Sequence, residues 1–168
     1  LRFNRTAFLG TVYSEKCCFY YFVNRKNYSY EFEDYVMQGK YNAGLISQSF
    51  WFVEMKKVIK LIDDGKSEEE IKKMCIEENL FGAAKEYRAK RIYGYIWNRA
   101  KRLDKTLIDL FYTSDLATQK VINLIAILRS DRLFFEFMFE VYREKNILGI
   151  PIIEDADVNI FFKNKEIQ

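Results

Sequence analysis

From Met37 onward, apolar residues return at intervals of three and four, the spacing of one face of an α-helix. Phe52, Met55, Ile59 and Ile62 make the first such stripe, with Ser47 and Ser49 ahead of it as capping candidates and Asp63-Asp64-Gly65-Lys66 as its stop. Ser67-Glu68-Glu69-Glu70 is a capping box, since the Ser67 hydroxyl can accept from the Glu70 amide while the Glu70 carboxylate reaches back. Ile71, Met74 and Cys75 supply the buried stripe of that second helix, expected to end near Asn79. Leu80-Phe81-Gly82 is a tight connection to a longer helix over residues 83–103, whose core seam is Ala89, Tyr93, Ile96, Ala100 and Leu103.

A short helix at residues 106–112 follows, then Ser114 as the cap of a helix over residues 116–128. Ser130-Asp131, a second cap or a kink, precedes a segment, residues 133–146, that is apolar around almost its whole circumference, which predicts a place at the centre of a bundle. Gly149 and Pro151 stop it, and Asp155 caps a last helix carrying Val158, Ile160, Phe161 and Phe162. The pattern predicts an all-α, compact helical bundle with a helix-turn-helix-like N-terminal part.

Residues 1–36 lack this periodicity. They are crowded with Phe, Tyr and Asn, and the chain opens on Leu1 rather than Met. The expectation is that Met37 is the natural start and that residues 1–36 are an upstream extension. The alternative is a genuine extension whose cluster Phe19-Tyr20-Tyr21-Phe22-Val23 forms part of a β-hairpin. Residues 37–112 then form the helix-turn-helix-like part and residues 113–168 the bundle part, which reads as cut short at Gln168.

Composition narrows the chemistry. The 168 residues include no histidine, which removes Ser-His-Asp triads, His-based zinc sites and His-ligated haem. Cys17, Cys18 and Cys75 are an odd set and a poor zinc site, so free thiols in a reducing, cytoplasmic setting are expected. The apolar runs fall far short of the ~20 residues of a membrane helix. No nucleophile has a recognisable base, GKYNAG (39–44) lacks the spacing of a phosphate loop, and neither a metal nor a cofactor is implied. Glu136 and Glu140, at i and i+4 on a very apolar helix, could form a buried acid pair of catalytic type; the plainer reading is a solvent-facing edge, or pairs with Arg132 and Arg143. An enzyme is not expected.

Charge is unevenly placed. Residues 63–79 carry seven acids against three lysines, whereas residues 82–105 carry eight Lys and Arg against two acids. Arg88, Arg91, Tyr95, Arg99 and Arg102 recur at helical spacing on a face apart from the seam, with Lys90 and Lys101 at its rim. A row of guanidinium forks suits phosphate oxygens and guanine edges, and the capped helix before it gives the order of a helix-turn-helix. The plainer reading is a solvated face, salt-bridged to the acidic helix that precedes it.

Three stretches carry a family resemblance: Tyr41-Asn-Ala-Gly-Leu-Ile-Ser through Phe52-Val-Glu-Met, Ile122 through Met138 with Ser130-Asp131-Arg132-Leu133-Phe134-Phe135 at its centre, and Asp155-Ala-Asp-Val-Asn-Ile-Phe-Phe. Across residues 39–164 the chain resembles the BrxA family, a component of the BREX bacteriophage-exclusion systems. The resemblance implies a NusB-like helical fold, binding of double-stranded DNA, other BREX components as partners, and a role in phage defence without catalysis. It supplies no DNA-contact residues, so Arg88, Lys90, Arg91, Tyr95, Arg99, Lys101 and Arg102 rest on the helix pattern alone. Two other functions stay open: an adaptor that docks an acidic protein, and an RNA-binding protein of NusB type.

Overall fold

A computed structural model of the chain describes residues 41, 48–150 and 152–166. The readings made for residues 1–36, for Met37, for Ser47 and for Cys17 and Cys18 lie outside the described residues. Among the described residues the regular structure is entirely helical.

Helix α1, Phe52–Asp63, is entered through Trp51, which adopts a left-handed conformation and offers no side-chain cap. Ser49 is therefore not the expected cap. The helix buries Met55, Val58, Ile59 and Leu61 and closes on Gly65 at φ 75°. There the amides of Gly65 and Lys66 donate to the carbonyls of Ile62 and Leu61, each at 3.0 Å, the two bonds of a Schellman ending. Helix α2, Glu68–Ile76, starts with the expected capping box: the Glu70 amide donates to Ser67 Oγ at 3.3 Å and the Ser67 amide to Glu70 Oε2 at 2.8 Å. It ends at Ile76, before Asn79, because Asn79 turns left-handed and its side chain grips both the N–H and the carbonyl of Ala83.

Helix α3, Glu86–Ala100, presents Ala89, Ile92, Tyr93, Ile96 and Ala100 to the core, and Leu103 just beyond it is also buried, so the expected seam is the real one. Nine residues, 77–85, join α2 to α3. A DNA-binding helix-turn-helix uses a turn of roughly three or four. Helix α4, Lys105–Thr113, is capped by Asp104, which accepts from the Leu107 amide at 2.9 Å. Helix α5, Leu116–Ser130, is capped one residue later than expected: Asp115 accepts from the Thr118 amide at 2.8 Å, while Ser114 closes α4.

These five helices form one unit, Ser49–Ser130, which includes both sides of the division expected after residue 112. Its most enclosed element is α5, in which every residue from Val121 to Leu128 is buried. The interior Asn123 that interrupts the apolar run of α5 is fully buried, its amide donating to the Phe50 carbonyl at 3.0 Å.

In the other unit, α6 (Arg132–Phe137) is capped by Asp131, which accepts from the Phe134 amide at 2.9 Å. It runs through a π-helical segment, Met138–Arg143, into α7, Glu144–Ile147. Phe134 and Met138 are buried here, whereas Phe139 and Glu140 face outward. Gly149 at φ 72° closes α7 with a second Schellman ending. Helix α8, Asp155–Glu166, packs Phe161 edge-on against Phe137 at 5.3 Å. Asp155 is its first helical residue rather than its cap, and Asp157 reaches back to the Glu154 amide at 2.7 Å while pairing with Lys145.

Replacing Ser67 by Ala removes half of the capping box and is expected to lower stability by about 1 kcal/mol. A urea midpoint compared with that of the unaltered chain checks this, and Ser67→Asp should leave it nearly unchanged.

Candidate nucleic-acid interface

The seam of α3 turns one side of the helix inward and leaves the other for its charged residues. Arg88, Lys90, Arg91 and Lys101 are all exposed. Among the described residues Arg88, Arg91 and Lys101 take part in no ion pair, and Lys90 reaches Glu86 on the same helix at 3.5 Å with both side chains in water. A pair exposed in that way holds its lysine only weakly. Among the described residues the acids of α2 form no ion pair with them; Glu70 of α2 pairs with Lys66, one turn away, at 3.8 Å.

Arg99 departs from the expected row. Its side chain is only 1% exposed, and its guanidinium donates to the backbone carbonyls of Ser49 and Phe50 at 3.1 to 3.3 Å. The guanidinium also lies 5.4 Å from the centre of the Trp51 ring. The reason lies in the helical turn: position 99 is four before Leu103 and seven after Ile92, both buried, so it borders the seam. The irregular stretch ahead of α1, with the Ser49 and Phe50 carbonyls, then closes over it. Tyr95 is drawn in likewise, half-buried with its ring stacked on Trp51 at 5.6 Å. Arg102 is half-buried after the helix has ended. The seven expected contact residues therefore split into an outward set (Arg88, Lys90, Arg91, Lys101), a flanking Arg102, and two, Arg99 and Tyr95, that serve the fold.

The expectation missed Lys85 and Tyr87, both exposed at the start of α3, Tyr87 at 68%. Tyr87 stands four residues before Arg91, so its place on the outward face was available from the spacing.

Two further groups bear on chemistry. The Cys75 thiol is buried and pushed up to about 11 by that burial, so it is no nucleophile at neutral pH. Tyr93 is pushed up to about 12, by burial first and then by Glu68 with Cys75 and Glu69. Among the described residues no group of three His, Cys, Asp or Glu could hold a metal ion, and no helix is long and apolar enough to cross a membrane.

In the other unit Glu136 is 2% exposed rather than solvent-facing. Arg132 Nε meets one carboxylate oxygen at 2.7 Å, and Lys165 Nζ at 2.6 Å and the Tyr41 hydroxyl at 2.8 Å meet the other. The Arg132 guanidinium lies over the Tyr41 ring at 4.3 Å. Glu140 pairs with Lys165 at 2.7 Å, and Arg143 with Glu144 rather than with Glu140. Burial resists a charge on Glu136, but the hydrogen bonds from Lys165, Arg132 and Tyr41 outweigh it and hold the carboxyl below its ordinary 4.5. The buried acid is a fully engaged structural anchor.

A family model described as BrxA matches residues 39–168. The chain is 42% identical over 133 residues to a curated protein of Bacillus cereus (strain H3081.97) described as "BREX protein BrxA", a match covering 79% of this chain and 66% of that protein. The chain thus spans slightly under two thirds of the length of that relative. No solved structure matches at a significant level.

Two expected outcomes follow from this geometry. Arg99→Met keeps the volume but withdraws the donors from buried carbonyls, and should cost about 1–3 kcal/mol in a urea titration. Glu136, with its lowered folded value, contributes stability that is complete above about pH 4.5 and is lost as pH falls through that lowered value. Glu136→Gln should therefore be less stable at pH 7, and its stability should fall less steeply than that of the unaltered chain between pH 5 and 3, both read from denaturant midpoints.

Proposed function

The chain belongs to the BrxA family, and from that premise we propose that it acts as a non-catalytic, DNA-binding component of a BREX phage-defence system. The outward cations of α3 hold duplex phosphates, and the observation that carries this is the pair Arg88 and Arg91. They lie one turn apart on a helix anchored by its opposite face, exposed, with no ion pair among the described residues. A guanidinium kept in water without a carboxylate is ready to take a phosphate oxygen through two parallel N–H donors. Lys85, Lys90 and Lys101 extend the positive surface along the same helix, and a polyanion gains from each cation by releasing a condensed counterion.

The absence of histidine and the unreactive Cys75 thiol support a role in binding rather than catalysis. Other BREX components are the proposed partners. Binding is chiefly electrostatic, so its selectivity among sequences is weak.

Engaging about four phosphates gives a slope of log affinity against log salt near −3 to −4. Arg88→Glu with Arg91→Glu should abolish retention of a labelled duplex while leaving the far-UV circular dichroism unchanged. Retention by the double variant equal to that of the unaltered chain would remove this surface from the reading. Absence of any duplex binding at about 150 mM salt, together with co-purification of an acidic BREX protein, would favour the adaptor role instead.

A further inference from the structure

Gly94 stands in the middle of α3, exposed and in ordinary right-handed helical conformation. A Cβ placed on it would meet nothing within 4 Å. The fold therefore gains nothing from a glycine at this position. Unlike Gly65, Gly82 and Gly149, it serves no left-handed turn. In a helix interior glycine is the least favourable residue after proline, so its presence here is a local loss of stability without a return inside the free protein.

The neighbours of Gly94 give the gap a use. Tyr87, Arg91, Gly94 and Asn98 follow one another at intervals of four, three and four, so they form a single line on the helix surface. That line faces away from the buried Ala89, Tyr93, Ile96 and Ala100. Lys90 and Lys101 flank it on one side and Arg88 on the other, both flanks exposed. The line therefore dips at Gly94, one turn past Arg91 and between cationic flanks. B-form DNA offers the complementary shape: a major groove about 12 Å wide, walled on both sides by phosphates, into which a helix roughly 10–12 Å across only just fits. A missing side chain at the centre of the inserted face lets the helix backbone lie deeper, so that both cationic edges reach the phosphate walls.

We infer that Gly94 is the point of closest approach between α3 and the major groove of a DNA duplex. This rests on the DNA-binding reading above and specifies how α3 meets its ligand. Tyr87 and Asn98 bracket the contact along the groove, and Arg88, Lys90 and Lys101 hold the phosphates at its edges.

The test uses the full 168-residue chain, a fluorescein-labelled mixed-sequence DNA duplex and an RNA duplex of the same sequence, read by anisotropy at fixed salt, with melting temperatures in parallel. Gly94→Ala should raise the melting temperature by a few degrees, because alanine favours the helix. The same variant should weaken DNA binding several-fold, and the bulkier Gly94→Leu by roughly an order of magnitude while remaining folded. The RNA duplex should bind much more weakly than DNA, since the A-form major groove does not admit a helix. A Gly94→Ala chain that melts lower, or Gly94→Leu binding as tightly as glycine, or equal affinity for RNA and DNA, each overturns the inference. If both Gly94 variants bind normally yet Arg88→Glu with Arg91→Glu does not, the DNA-binding surface stands and only the groove-centre role of Gly94 falls. If the unaltered chain binds no duplex, the functional reading itself fails.

Discussion

The buried guanidinium of Arg99 fixes the unit of residues 49–130. It gathers the carbonyls of Ser49 and Phe50 at the point where the chain enters α1, while Asn123 of α5 donates to the same Phe50 carbonyl. Three helices are thereby referred to one short stretch of backbone. Trp51, held left-handed between them, completes the arrangement by lying under Arg99 and against Tyr95. A non-glycine residue in that conformation is strained by roughly 1–2 kcal/mol, and these surrounding contacts over-determine it. The interior of α3 is thus tied down by a charged group, and this leaves its other face free to carry the exposed cations.

Much of the fold was legible from local chemistry. The Ser67 box, the Asp131 cap, the glycine stop at Gly65 and the seam from Ala89 to Leu103 are each written within a few residues, and each stands where its spacing placed it. Ser114 and Asp115 are chemically equivalent caps one step apart, so the choice between them depended on where α4 let go.

The failures share one cause: the deciding partner is far away in the chain. Arg99 looks like any exposed basic residue until backbone from fifty positions earlier covers it, and bare carbonyls carry no sequence signature. Glu136 does pair with Arg132 as its spacing allowed, but its burial depends also on Lys165, which sits on another helix and left no local sign. Glu136 is buried with its partners, while Glu140, four residues on, is outward as expected. Of the candidate site, the outward cations were legible because their intervals alone set their face. The loss of Arg99 and Tyr95 from that face was not.

The chain's two tryptophans, Trp51 and Trp97, both fall between residues 49 and 130. One lies beneath a guanidinium and against a tyrosine ring, and the other stacks on Tyr93 at 6.1 Å. Indole emission is consequently an optical label for this unit alone. Loosening of α8 from the π-helical segment would pass unseen by fluorescence and register only in probes of the backbone as a whole.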